Sequence, residues 1–183
     1  MKSVKGFGGT YALLLSLARC TEIEVGSLGR FPFPKGYYVY LGSALGGLRA
    51  RLSRHLRFDK VLRWHIDYLV ARGEILEIWW QVGHEKRECH WAAVVRNAPA
   101  ASQPVPHFGC SDCRCASHLA HFTVRPPVSI LGPEPISVLK LDTAGAVSLQ
   151  PQLSAIGRQH SATTEEPEPL TLNPEPRTLT HDP

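Results

Sequence analysis

The chain has 183 residues, with 20 Lys and Arg against 16 Asp and Glu, for a formal net charge of +4. No stretch approaches the ~20 apolar residues that a membrane-spanning helix needs, so a helical membrane protein is excluded. The charge is unevenly placed: residues 1–125 carry 17 basic against 9 acidic side chains, and residues 126–183 carry 3 against 7. Every Trp, Tyr, Phe and Cys precedes Pro126, and ten of the fifteen prolines lie from there onward. The composition therefore divides into a domain over 1–125, of ordinary single-domain size, and a Pro-rich, acidic tail over 126–183. Without aromatic residues the tail buries too little apolar surface to offset its ordering entropy, and it is expected to be mostly disordered. Two short apolar runs, 128–131 and 136–139, could still pack on the domain as an extension.

Lys2 and Lys5 precede a short apolar run ending in Leu17, Ala18, Arg19 and Cys20, a faint likeness to a secretion signal. Arg19 stands where a small residue would be expected, and the run is at the lower length limit. The same residues serve better as a strand over 9–17. The expected location is cytoplasmic, where cysteines are more often thiols or metal ligands than disulfides.

Further strands are expected over 21–25, 35–41 and 74–82, with Gly26, Gly29, Pro32 and Pro34 marking turns. Helices are expected over 45–58, where Leu45, Leu48, Leu52 and Leu56 recur at helical spacing, over 61–72, and over 87–96. Loop chemistry begins at Asn97. The resulting fold class is α+β: a small central three-stranded sheet, antiparallel or mixed, flanked by helices. The first helix is unusual in its charge. Arg49, Arg51, Arg54, His55 and Arg57 fall within nine residues, and guanidinium groups match the geometry of phosphate oxygens; a solvated basic face is the ordinary alternative.

The motifs Gly9-Thr10-Tyr11 and Tyr40-Leu41-Gly42-Ser43-Ala44, followed by an arginine helix, resemble the GIY-YIG nuclease superfamily. The runs Trp64 to Leu69, Glu88-Cys89, and Phe108 to Leu119 are similar to an uncharacterised branch of it, a domain of unknown function sometimes fused to a DNA glycosylase. The resemblance covers residues 6 to 124. It implies a metal-dependent endonuclease of DNA repair or processing, in which Tyr11 and Tyr40 flank the scissile phosphate, Arg51 contacts it, and Glu88 holds a divalent metal, usually Mg²⁺. Arg51 aligns if the extra residue at Gly46-Gly47 counts as a turn insertion; Arg49 is the alternative. A tyrosine base at neutral pH would need a nearby cation to lower its pKa from near 10, a field that Arg51 and the metal are expected to supply. His65 and Asp67 are further site candidates, although His65 also suits a packed core position and Asp67 a surface pair with Arg63. Arg49, Arg54, His55 and Arg57 are the candidate DNA-backbone contacts.

Position 43 is Ser where the excision-repair nucleases of the superfamily carry lysine, and their downstream asparagine has no clear counterpart. A second class therefore stays open, a DNA-binding module of the same fold without cleavage. Finally, Cys110, Cys113, Cys115 and His118 are four zinc-competent donors within nine residues. Structural zinc sites usually draw donors from two separated segments, and the single residue between Cys113 and Cys115 is tight for one ion. A cysteine-rich loop closing over the active face is the alternative.

Overall fold

The computed structural model describes residues 7–141. Residues 142–183, most of the tail expected to lack order, lie outside the described residues. In chain order the elements are strand β1 (Gly9–Leu17), a hairpin of β2 (Thr21–Glu24) and β3 (Arg30–Phe33), strand β4 (Gly36–Ser43), helices α1 (Leu48–His55) and α2 (His65–Val70), strand β5 (Glu74–Val82), helix α3 (Glu88–Arg96), and strands β6 (Leu119–Phe122) and β7 (Ser137–Lys140). The expected α+β class holds, but the sheet is larger than three strands. Five strands pair in the order β6-β4-β1-β5-β7, every pairing antiparallel, and β2 with β3 forms a separate two-stranded sheet.

β1 lies at the centre of the sheet and is covered on both faces, which is why it reads as an unbroken apolar run and not as an alternation. Its odd-numbered residues Tyr11, Leu13 and Leu15, with Tyr38 and Tyr40 of β4, pack against Leu48 and Leu52 of α1, Ile66 and Leu69 of α2, and Ile23 and Phe33 of the hairpin. On the opposite face Leu14, Val39, Leu41 and Trp79 meet Trp91 and Val95 of α3. Full burial of each such side chain is worth about 1.5–3 kcal/mol, so these two layers fix which face of the sheet each helix covers.

Both helices after β4 are shorter than their apolar spacing predicts. Gly47 has φ 143°, a value outside helical space, so α1 starts only at Leu48. Trp64 is extended, and the Asp67 carboxylate accepts the N–H groups of Arg63 (2.9 Å) and Trp64 (3.0 Å), setting the start of α2 at His65. β3 and β6 were not expected, and β7 was expected only as an apolar run, 136–139, that could pack on the domain as an extension. Pro32 marks a turn by composition, yet it sits in β3 opposite Glu22, on a two-stranded ribbon where a missing N–H is tolerated. β6 and β7 are four-residue edge strands whose pairing partners lie about 80 and 60 residues upstream, so local pattern carries little trace of them. The described fold continues past residue 125: Leu131 is buried under the α3 face, and Leu139 on β7 pairs with Ile78.

Candidate active site beside the central strands

The central strands define the site. Tyr11 and Tyr40 point to the same face of the sheet from adjacent strands, with ring centroids 6.4 Å apart. Tyr11 lies directly opposite Gly42, and a Cβ at Gly42 would sit 2.6 Å from the Tyr11 hydroxyl oxygen. The glycine of the second motif is thus the space that the tyrosine of the first motif occupies.

A cavity of about 410 Å³ opens next to these residues, and Tyr40, Arg51, Ser43 and Glu88 share its wall with Trp64 and His118. Arg51 reaches it from α1, where its guanidinium lies 4.3 Å from the centre of the Trp64 ring. Glu88 reaches it from the first turn of α3. Its carboxylate accepts the Ser43 hydroxyl, and Lys86 stands 3.9 Å away while pairing with Asp112 at 2.8 Å. Ser43 and Lys86 together hold the carboxylate in place.

Tyr11 does not reach the cavity wall. It is completely buried, and its hydroxyl meets Nε2 of His55 at 2.7 Å. Burial pushes the Tyr11 phenol up to about 12, and Arg51, although close enough to lower it, does not compensate. Tyr40 is likewise held well above 10, by burial and then by Tyr11. Of the two cations expected to lower a tyrosine, Arg51 by itself does not outweigh desolvation. His55, grouped by sequence with the backbone-contacting residues, is corrected. It is 1% exposed, and burial together with Lys60 lowers its pKa to about 3, leaving a neutral ring whose Nδ1 has no hydrogen-bond partner.

Two further residues take internal roles. Asp67 is fully buried and grips Arg54 through two bonds of 2.9 Å. Burial alone would raise its carboxyl, but Arg54 and the backbone N–H groups of Trp64 and Arg63 hold it at about 2. Its partner is Arg54, not the expected Arg63 side chain, and it lies away from the cavity. Arg54 also stacks 3.9 Å over Trp64 and donates to the carbonyl of Val61, so its guanidinium joins α1 to α2. Arg49 and Arg57 remain exposed. His65 does border the cavity, packed on Phe108, with Nδ1 accepting the N–H of Gly109 at 3.0 Å.

On the far side of Glu88 lies a group of four metal-competent side chains. Cys113, Cys115 and His118 belong to it as expected, but the fourth is Cys89 and not Cys110. The Cys110 thiol turns instead to the carbonyl of Phe108. Sequence reading noted Cys89 only as a motif neighbour of Glu88; what could have flagged it is the need for a donor from a second segment.

Residues 10–131 match the family described as Domain of unknown function DUF123. The chain belongs to that family. Comparisons with curated proteins and with solved structures returned no match. The matched span of the DUF123 domain holds every cavity residue named above and all four members of the Cys/His group. Among the described residues, no helix is long and apolar enough to cross a membrane.

Proposed function

We propose that this DUF123 domain is a metal-dependent phosphodiester hydrolase acting on DNA, with a GIY-YIG-like arrangement of its site and a place in repair or processing. The observation that carries the reading is that Tyr40, Arg51 and Glu88, brought from a strand and two helices, share the wall of one cavity. Hydrolysis joins a water oxygen to phosphorus, breaks the bond from phosphorus to one deoxyribose oxygen, and leaves the departing oxygen with a proton. Arg51 is the group that binds the phosphoryl oxygens and takes up their developing charge. Tyr40, protonated at neutral pH, donates a hydrogen bond toward the same oxygens, while neutral His55 fixes the hydroxyl of Tyr11 behind it.

Glu88 fits Mg²⁺, which commonly takes only one or two carboxylates and completes its shell with water and substrate phosphate. When bound, the ion supplies Lewis-acid stabilisation and a more acidic water. Ser43 orients the carboxylate for that role. A DNA-binding module without cleavage is the competing reading, favoured by the complete burial of Tyr11.

Cleavage of branched, flapped, damaged and plain duplex DNA with Mg²⁺ or Mn²⁺ tests the proposal. Glu88→Gln should abolish cleavage and leave DNA affinity unchanged, because it removes a metal ligand and no phosphate contact. Arg51→Ala should lower turnover by about 10²-fold while weakening binding far less. Salt-dependent binding without cleavage of any substrate, unchanged by Glu88→Gln, would establish the binding module instead.

A further inference from the structure

The four donors beyond Glu88 come from two distant segments of the chain. Cys89 is the second residue of α3, whereas Cys113, Cys115 and His118 lie on the loop leading into β6. Their ligand atoms all fall within 4.8 Å of one another. Nε2 of His118 stands 3.4 Å from Sγ of Cys113 and 3.6 Å from Sγ of Cys89. A tetrahedral zinc ion with Zn–S near 2.3 Å and Zn–N near 2.0–2.1 Å places its sulfur and nitrogen donors about 3.6 Å apart, and its sulfurs about 3.8 Å apart. Both of these sulfur–nitrogen distances match a filled shell, and closing the whole group, spread over 4.8 Å, onto one ion needs donor shifts of no more than about 1 Å.

We propose that Cys89, Cys113, Cys115 and His118 form a structural zinc site that ties the start of α3 to the loop before β6. Three thiolates and one imidazole form a closed Cys₃His set, soft enough to select zinc and with no open position for catalysis. The imidazole argues against a simple thiol pair, since a disulfide would leave unused a ring nitrogen aimed at two sulfurs. The backbone is built to present that ring: the His118 N–H donates to the carbonyl of Phe108 at 2.8 Å, and its own carbonyl accepts the N–H of Leu41 at 3.0 Å. The helix start and the loop thus form the two separated segments of the site.

The position of the site gives it a consequence. Glu88 is covalently adjacent to Cys89, and His118 borders the same cavity as Glu88. Zinc would lock the α3 end of the cavity, a role that stands whether or not the domain cleaves DNA.

Metal analysis of the full chain, purified without chelator from zinc-supplemented cells, should find about one zinc per chain, released when a mercurial titrates the thiols. Cobalt substitution should give the intense thiolate-to-metal absorption and visible bands of a tetrahedral thiolate site. Cys89→Ser should lose the metal, whereas Cys110→Ser should keep it. If Cys89→Ser fails to fold, chelation of the wild-type protein gives the second readout, and removal of one zinc should lower its Tm. Absence of zinc from the wild-type protein, a disulfide among these cysteines, or zinc retained in Cys89→Ser but lost in Cys110→Ser would overturn the proposal.

Discussion

The two sides of the cavity are held by opposite means. On the α1–α2 side a buried carboxylate, Asp67, has its oxygens satisfied by Arg54 and two backbone N–H groups, with Lys60 nearby at 3.7 Å. On the α3 side the Glu88 carboxylate accepts one serine hydroxyl with Lys86 3.9 Å away, and behind it three thiols and an imidazole converge within 4.8 Å of one another. A wall complete in protein groups needs nothing added. A wall made of converging donors gains its rigidity from what they bind.

The largest expected effect tests the first half of that comparison. Asp67→Ala leaves the Arg54 guanidinium and two N–H groups without their acceptor in a buried setting, and should cost about 3–5 kcal/mol of stability in denaturant unfolding. The sign of its pH dependence follows from the depressed carboxyl. Its ordinary value is 3.8 and its folded value is about 2, so the stabilisation is complete above pH ~4 and is lost as pH falls toward 2. The wild type should therefore lose stability over that window, and the Asp67→Ala protein should lose less.

A smaller effect is expected at the junction of the two walls. Gly42→Ala places a methyl carbon against the Tyr11 hydroxyl, forcing the ring off His55, and should cost about 1–3 kcal/mol in thermal unfolding. If Gly42→Ala proves neutral, Tyr11 is not fixed by its cross-strand neighbour. The smallest effect separates Arg54, in the last turn of α1, from Arg57, just beyond its end. Arg57→Ala should leave Tm unchanged and lower the salt slope of DNA binding by about one unit if Arg57 meets a phosphate. Arg54→Ala should instead lower Tm, because its side chain is committed to Asp67 and Trp64.

The fold was legible where it is written locally. β1, β4, β5 and α3 were read to within two residues, since each carries a long apolar pattern matched to its period. The short edge strand β6 escaped, and β7 was legible only as an apolar run that could pack on the domain, because four residues without a strong alternation acquire their structure only from a distant partner. At the site, Tyr40, Arg51 and Glu88 could be paired with one another through a motif, and Cys113, Cys115 and His118 through their spacing. The position of Cys89 beside them could not, since 24 residues separate it from Cys113 and no helical or strand period links the two segments.

What the sequence determined by itself is the type of chemistry available: a basic domain over an apolar sheet, with tyrosines, an arginine helix, a glutamate and a thiol-rich loop. Tertiary structure decided how those groups are used. Arg51 and Arg54 are the same residue type one turn apart, yet only the packing of α1 on α2 directs Arg54 to Asp67 and leaves Arg51 at the cavity. His55 carries the same ring as His65, but burial at the C-terminal end of α1 turns it into a neutral partner for Tyr11. Side-chain identity sets which bonds are possible, whereas desolvation and the nearest partner, both products of long-range packing, select the bonds that form.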